Sequence, residues 1–333
     1  MAEQGRTPQP GAREPGAPVI TVVGSVNMDL VVGVPRHPAP GETLIGSDYV
    51  THPGGKGANQ AVAAARLGAE VRFVGRVGSD AFGAELRESL EADAVDVAHL
   101  GVSKGSSGVA FIQVDERGQN SSVVSPGANF AVTTADLSDE AFDGAAALIL
   151  QLEVPLEVVL AAARKARLQG MAVILNLAPA ERLSRVQLQD VTHLLVNEYE
   201  AGLLLGTPSF TVSADAEAAA KRLRELAPHV VITLGERGAA WACRDDEGQV
   251  TSGSEEAFSV KAVDTTAAGD SFTGAFALAV ARSHGADDDP VTRTQEAVRF
   301  ASAAGALAVT RHGAQPSLPR LQEVERLLAG VQA

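Results

Sequence analysis

The sequence is poor in cysteine, in aromatic residues and in positive charge. It contains one cysteine, Cys243, so no disulfide can form within the chain and a zinc site built from cysteines lacks its other ligands. Aromatic residues make up 4% of the 333 residues, so alanine, valine and leucine must fill the core. Lysine and arginine number 27 against 41 aspartate and glutamate, which gives a formal net charge of −14. A chain this acidic repels phosphate backbones and anionic lipid, so we expect no nucleic acid and no membrane as partner.

Long apolar runs are lacking as well. No uninterrupted apolar stretch reaches the roughly 18 residues that a membrane-spanning helix requires. Residues 1–18 are rich in glycine, proline and charge and contain no apolar segment typical of a signal peptide. We therefore predict a disordered tail over 1–18, a single folded domain over 19–331 and a cytoplasmic location.

The order of apolar segments indicates the α/β class. Residues 19–23 form a β-branched run that predicts a buried first strand. From about residue 145, short apolar strands alternate with amphipathic helices, which predicts a mostly parallel sheet covered by helices on both faces. Two other segments, about 30–52 and 107–125, alternate apolar and polar residues with the period of strands. We predict that they form a small sheet outside the main body, placed to cover a cleft.

The segment AVDTTAAGDSF, residues 262–272, combines an anion site with a carboxylate. A strand ends near Val263, and a turn of small residues leads into a helix whose first backbone N–H groups are free to bind an anion. Asp270 lies in the first turn of this helix, where it could accept the proton of a hydroxyl that attacks a phosphate. An acidic residue that merely stabilises the helix dipole would occupy the same position, so the spacing alone leaves both interpretations open.

A second glycine-rich segment, GGKGANQAVAAARLGA, covers residues 54–69. Gly54, Gly55 and Gly57 bracket Lys56 at the start of a predicted helix, and Asn59 follows one turn later. Backbone amides, a lysine and an amide side chain suit a polyhydroxyl or phosphorylated ligand. The pattern GxxxxGK[ST] of a P-loop does not occur, and no GxGxxG follows the first strand. A purely structural turn is the alternative interpretation.

Polar side chains also follow two of the predicted strands. Asn27 and Asp29 come just after the first strand, and Glu153 follows the apolar strand that ends near residue 152. Ligands of open α/β sheets bind at the carboxyl ends of the strands, so these three side chains are candidate sugar ligands. An Asx turn would also explain Asn27 and Asp29.

Two further segments are candidates for nucleotide binding. Asn197 and Glu200 lie three residues apart at a predicted helix start, a spacing that fits a magnesium–phosphate shell. A capping box has the same spacing. The glycine-rich turn of ITLGERG, residues 232–238, follows another strand and could hold a nucleotide through its backbone.

Taken together and in this order, the segments resemble the ribokinase family of carbohydrate kinases over about residues 19–330. GGKGANQAVAAARLGA and AVDTTAAGDSF are similar to the two signatures of that family. SPGAN at 125–129, LQLEVP at 150–155, LNLAPA at 175–180 and VTRHGAQPSLP at 309–319 resemble its ribokinase branch rather than fructokinases or adenosine kinases.

The resemblance implies a ribokinase-like fold and activity. The central sheet would be flanked by helices, with a small β-lid over the sugar that also forms the contact of a homodimer. The enzyme would phosphorylate D-ribose at O5 with ATP, assisted by Mg²⁺ and by K⁺ as a monovalent activator. Its product, D-ribose 5-phosphate, would feed ribose into central metabolism.

The resemblance also implies a role for individual residues. Asp270 would be the general base, and the amides of Ala267, Ala268, Gly269 and Asp270 would form the anion hole. The residues implied for D-ribose are Asn27, Asp29, Gly55, Lys56, Asn59, Glu153 and Asp270. Those implied for ATP are Asn197, Thr233, Gly235, Glu236, Arg237, Gly238, Gly269 and Ser302. Those implied for K⁺ are Asp264, Thr266, Ala308, Arg311, Gly313 and Ser317, and Glu200 would organise Mg²⁺, directly or through water.

Departures from the family and several alternatives accompany this hypothesis. Ala267 stands where the family often has glycine; its amide stays available, so we expect a small effect. The alternatives are a kinase of the same family for deoxyribose, a ketose or a nucleoside, and a non-catalytic sugar or nucleotide sensor. A nucleoside requires a stacking surface, and the lid segments offer chiefly Tyr49 and Phe111. The carboxylate of Asp270 within its small-residue cradle argues against a sensor.

Overall fold

The computed structural model describes residues 16–245, 247–285 and 289–330. Most of the tail predicted over 1–18 lies outside the described residues, as does residue 331 at the end of the predicted domain. Within the described ranges, no helix combines the length and the apolar character needed to cross a bilayer.

A nine-stranded sheet forms the centre of the molecule. Its strands are β1 (Val19–Val23), β4 (Glu70–Gly78), β5 (Leu100–Ser103), β8 (Ala147–Leu150), β9 (Ala172–Asn176), β10 (His193–Asn197), β11 (His229–Thr233), β12 (Ala239–Arg244) and β13 (Val250–Glu255). They are ordered β13-β12-β11-β10-β9-β8-β1-β4-β5. All neighbours pair in parallel except β11 with β12 and β12 with β13. The mostly parallel sheet predicted from the sequence is thus confirmed.

Helices cover both faces of this sheet. They are α1 (Lys56–Arg66), α2 (Ala81–Ala92), α3 (Asp139–Phe142), α4 (Leu156–Leu168), α5 (Glu198–Leu205), α6 (Ser209–Ala214), α7 (Ala216–Leu223), α8 (Ala268–Arg282), α9 (Pro290–Ala308) and α10 (Leu321–Leu328). Successive side chains of a strand point to opposite faces, so one strand feeds two cores. In β8, Ala147 and Ile149 join the cluster formed with α1, α8 and α9, whereas Leu148 and Leu150 join the cluster formed with α4 and α7.

A second, four-stranded sheet lies beside the first. Its strands are β2 (Asn27–Val34), β3 (Val50–Gly54), β6 (Gly108–Asp115) and β7 (Asn120–Ser125), in the order β3-β2-β6-β7. The small sheet built from two separate chain regions is therefore present. Its first strand begins at Asn27, which pairs with Gly54 and Gly108, and so earlier than residue 30. Residues 35–49, which belong to the segment predicted over about 30–52, form no strand, and the three prolines at its start lack the N–H that a ladder requires.

The topology opens a crevice between β1 and β8. From β1 the chain builds the sheet outward through β4 and β5, whereas from β8 it builds in the opposite direction through β9, β10 and β11. At such a switch point the connections diverge at the carboxyl ends of the strands and leave room for a ligand. Residues 24–29 after β1 and residues 151–153 after β8 border this crevice.

Candidate active site

The start of α8 is an open anion site. Its N-cap residue, Ala267, is in the left-handed conformation (φ 58°, ψ 10°), and within the described residues no side chain caps the helix. The N–H of Ala268 donates to the carbonyl of Thr265 at 3.3 Å. The next amides, those of Gly269 and Asp270, belong to the first turn, where a helix offers no carbonyl partner. A Cβ added at Gly269 would meet no heavy atom within 4 Å, so an anion has room above these amides.

Asp270 lies beneath this opening and faces α1. Its Oδ2 accepts a hydrogen bond from Asn59 Nδ2 at 2.9 Å, and its Oδ1 accepts one from Gln60 Nε2 at 2.8 Å. Burial raises the pKa of Asp270, while the Lys56 ammonium and the two amide donors oppose this shift. Both oxygens are therefore oriented from one side, which leaves the rest of the carboxylate to face a ligand.

The first turn of α1 supplies a half-buried cation. A Cβ at Gly55 (φ 88°) would lie 2.7 Å from the backbone nitrogen of Asn27, so the close approach requires glycine there. Burial lowers the pKa of Lys56, but the surrounding negative charges outweigh it and the pKa is raised overall. Those charges belong to Asp270, Glu153, Glu200 and Asp29. Lys56 thus remains an ammonium group at the centre of the site.

Two carboxylates border the crevice between β1 and β8. Asp29 is buried, and burial first, then the charges of Glu153 and Asp270, raise its pKa to about 7. Glu153 Oε2 accepts hydrogen bonds from Ser25 Oγ at 2.6 Å and from the Lys56 backbone N–H at 3.2 Å. The structure therefore brings Asp29, Lys56, Glu153 and Asp270, all of them candidate residues from the sequence, into one electrostatic cluster.

Asn129 is a partner of this cluster that the sequence did not single out. It is buried, its Oδ1 accepts the Val26 N–H at 2.9 Å, and its Nδ2 donates to the Val26 carbonyl at 3.1 Å and to Asn27 Oδ1 at 2.7 Å. A Cβ at Gly108 would fall 2.1 Å from Asn27 Oδ1. Because Asn129 engages its oxygen, Asn27 has its Nδ2 group left as a side-chain donor. The SPGAN motif, which ends at Asn129, is the only sequence signal for this residue.

A cleft of about 400 Å³ extends from Asp270 toward the carboxyl ends of β10 and β11. Asn197 and Glu200 line it and form a capping box: Asn197 Oδ1 accepts the Glu200 N–H at 2.9 Å, and Glu200 Oε2 accepts the Asn197 N–H at 2.8 Å. Burial raises the pKa of Glu200, against the opposing effects of the Asn197 N–H and of Lys56. Four residues predicted to bind the nucleotide line this cleft: Asn197, Thr233, Gly235 and Gly269. The lining also contains Lys56, Glu200, Ala267 and Asp270, which were predicted for other roles.

Other predicted nucleotide residues lie away from this lining. Arg237 forms an ion pair with Glu198 and donates to the Ser213 carbonyl at 2.7 Å. Gly238 (φ 91°) makes the turn into β12, and Ser302 Oγ on α9 is buried without a partner among the described residues. In the described structure the cleft lining includes none of Glu236, Arg237, Gly238 and Ser302.

Two segments beside the start of α8 contain the residues expected to hold K⁺. Asp264 accepts the N–H of Thr266 and the N–H of Gly313, both at 2.9 Å, and so ties the two segments together. Burial raises the pKa of Asp264, but these hydrogen bonds lower it overall. Ala308 accepts the Arg311 N–H at 3.3 Å, and the buried Ser317 donates to a neighbouring carbonyl. Carboxylate, hydroxyl and carbonyl oxygens are the donors that suit a hard cation, so the set fits K⁺ in kind.

The family of the chain follows from comparison with known proteins. Residues 18–321 match the pfkB family of carbohydrate kinases, and the chain belongs to this family. It is 39% identical over 312 residues to the ribokinase of Haemophilus influenzae, covering 93% of this chain and 98% of that one. It is 36% identical over 314 residues to a deoxyribokinase of Salmonella typhi, covering 93% and 98%.

A solved structure shows the same fold. The Arabidopsis thaliana ribokinase complexed with ribose and ATP matches with a TM-score of 0.81 and 32% identity. The match covers 94% of this chain and 99% of the Arabidopsis chain. Both the sheet with its flanking helices and the smaller second sheet therefore belong to an architecture shared with ribokinases.

Proposed function

We propose that the protein transfers the γ-phosphoryl group of ATP to O5 of D-ribose and releases D-ribose 5-phosphate and ADP. The observation that carries the proposal is the placement of Asp270. A buried carboxylate, oriented by two amide donors, lies directly beneath an uncapped helix N-terminus with open space above it. The ribokinases among the relatives support the choice of ribose.

The polar groups around the crevice suit a sugar. Hydroxyl groups both donate and accept, and the cluster offers acceptors on Asp29 and Glu153 and donors on Asn27 and Lys56. Asn59 Oδ1 is buried and has no hydrogen-bond partner among the described residues. A sugar hydroxyl would satisfy this orphaned acceptor, which otherwise costs free energy.

The positions of Asp270 and of the free amides at the start of α8 suggest the steps of the reaction. Asp270 accepts the proton of O5 while O5 forms its bond to the γ-phosphorus, and the bond from phosphorus to the leaving oxygen of ADP breaks. The amides of Gly269 and Asp270, with Ala267 and Ala268 leaving space, stabilise the negative charge on the phosphoryl oxygens. Because burial raises its pKa, Asp270 is a stronger base than an exposed aspartate.

The residues present also fit the expected ions. Mg²⁺ keeps several waters and requires few protein ligands, so Glu200, with one carboxylate in the cleft, suits an indirect contact. K⁺ would be held by oxygens of Asp264, Thr266, Ala308, Arg311, Gly313 and Ser317. When bound, the two cations supply positive charge beside the phosphates and the anion hole.

A second candidate substrate is 2-deoxy-D-ribose, because a deoxyribokinase is among the relatives. A site that pairs buried carboxylates with hydroxyls discriminates against a sugar that lacks one of them. The test is ADP release from purified protein with ATP and Mg²⁺, with or without K⁺, across D-ribose, 2-deoxy-D-ribose, D-fructose and adenosine.

We expect the highest kcat/KM with D-ribose and faster turnover with K⁺. A higher kcat/KM with another sugar or with adenosine would show that ribose is not the preferred substrate. The absence of ADP release with every acceptor would overturn the proposal in favour of a binding protein without turnover.

We further propose a homodimer that forms through the lid. Phe111 of β6 is 51% exposed, and its cross-strand partner Val123 of β7 is 68% exposed, so the lid presents an apolar surface. We expect sedimentation to show a dimer that Phe111→Glu dissociates. The control Phe210→Glu, at a residue 74% exposed on α6, should leave the dimer intact. A parent protein that sediments as a monomer would refute the proposal.

A further inference from the structure

Two buried glutamines lie behind Asp270, outside the proposed contacts to substrate. Gln60 and Gln151 are fully buried. Gln151 Nε2 donates to Gln60 Oε1 at 2.6 Å. Gln60 Nε2 in turn donates to Asp270 Oδ1 at 2.8 Å and to Asn176 Oδ1 at 3.1 Å. Polar side chains thus run without interruption from the residue that follows β8 to the carboxylate.

The network fixes which way the amide of Gln60 points. An ionised carboxylate can only accept hydrogen bonds, so the nitrogen of Gln60 must face Asp270. The opposite orientation would place Oε1 against a carboxylate oxygen and would leave the Gln151 Nε2 donor facing another donor. Gln151 therefore acts on Asp270 through Gln60, without touching it.

Helix packing places Gln60 at this position. Gly274 lies one turn after Asp270 on α8, and a Cβ there would fall 2.6 Å from Ala63 Cβ and 2.7 Å from the Gln60 carbonyl. The two helices therefore touch backbone to backbone at Gly274, and their relative position has little freedom. Gln60 is held opposite the carboxylate by the core as well as by its own hydrogen bonds.

We propose that Gln60, oriented by Gln151, is a positioning residue that keeps the Asp270 carboxylate ionised and aimed at the substrate hydroxyl. The inference rests on the proposed function, because it takes Asp270 as the general base. Burial disfavours the charged carboxylate, and the hydrogen bond from Gln60 is one of the interactions that oppose this effect. A freely rotating carboxylate would also lose alignment with the attacking hydroxyl.

The test replaces Gln60 by methionine, which has a similar length and no donor. We expect kcat to fall about 10- to 100-fold, the loss typical of a hydrogen bond to a buried charge, with the KM for ribose changed by less than about threefold. The acidic limb of the pH profile of kcat should move to higher pH, because loss of the donor raises the pKa of Asp270. A residue that matters only for packing would not move this limb.

A second variant and a control make the test decisive. Gln151→Met leaves Asp270 untouched and should lower kcat about 3- to 10-fold with a shift of the acidic limb in the same direction. The control Thr21→Val removes a buried hydrogen bond, from Thr21 Oγ1 to the Ala141 carbonyl at 2.6 Å, on the face of the sheet opposite α8. We expect it to change stability without changing the pH profile.

The outcomes separate the two proposals. A folded Gln60→Met protein with parental kcat and an unmoved acidic limb overturns the inference while the function stands. If Gln60→Met fails to fold, a Gln151→Met protein with a parental profile overturns it equally. A parent protein that releases no ADP with any acceptor instead refutes the proposed function.

Discussion

The affinity for ribose should depend on pH because Asp29 titrates near neutrality. In the free protein, burial and the charges of Glu153 and Asp270 raise the pKa of Asp29 to about 7. In the proposed binding mode a sugar hydroxyl donates to the ionised carboxylate of Asp29, so protonation would remove the binding-competent form. With a pKa of about 7, the apparent Kd for ribose should rise about 11-fold at pH 6 and about 100-fold at pH 5, relative to its value at high pH.

Calorimetric titration with ribose in the absence of nucleotide measures this dependence directly. Between pH 8.5 and 5.5, the Kd should rise as the pH falls, and binding below pH 7 should release protons to the buffer. The control Asp29→Asn should bind ribose more weakly and should lose the dependence in this range. A Kd that stays flat between pH 8 and pH 6, or that improves in acid, would refute the reasoning.

Three other variants test separate parts of the structure. Ala267→Gly relieves the strain of an alanine in the left-handed conformation, and part of this gain is offset by the greater conformational entropy of glycine in the unfolded chain. The melting temperature measured by calorimetry should rise by about 1–2 °C, and a decrease would contradict this. The His229 ring stacks on the His193 ring with centroids 4.4 Å apart, and burial lowers the pKa of His229 to about 4, so its contribution to stability is complete above about pH 6.5 and falls as the pH drops toward 4. In urea unfolding, His229→Leu should therefore reduce by about 1–2 kcal/mol the stability that the protein loses between pH 7 and pH 5. An unchanged loss of stability would contradict this. Asn129→Leu frees Asn27 and should raise the KM for ribose about tenfold with kcat nearly unchanged; a parental KM in steady-state kinetics would contradict this.

The main sheet could be predicted because its strands carry a strong local signal. The run Ala147–Leu150 is apolar at every position and buried on both faces, as a central parallel strand requires. Leu100–Ser103 gave no such signal, since Gly101 and Ser103 interrupt its apolar residues and only Leu100 is buried. The strands of the second sheet could be predicted because apolar and polar residues alternate along them. The start of β2 at Asn27 could not, because it depends on pairing with β3 and β6, which are distant in the sequence.

Motifs in the sequence indicate candidate site residues, whereas long-range contacts between side chains leave no signal there. Gln60 and Asp270 are 210 residues apart, and Asn129 and Asn27 are 102 apart, so no spacing rule connects them. Asn197 and Glu200 show the opposite case. Their local pattern allowed a capping box or a ligand site, and the structure shows the box within the cleft lining.

The left-handed backbone conformation of Ala267 also could not be predicted from the sequence. The available amide of Ala267 predicts a small effect of this departure from the family. The structure adds that the residue adopts a positive φ, a conformation that glycine accepts and alanine resists.

The replacement of Asp270 by asparagine tests the central claim most directly. The amide keeps the size of the side chain but cannot accept the O5 proton. We expect calorimetry to give a ribose Kd within a few fold of the parent, while ribose-dependent ADP release falls by about 10³-fold or more. Release within about tenfold of the parent rate would contradict the assignment of Asp270 as the base.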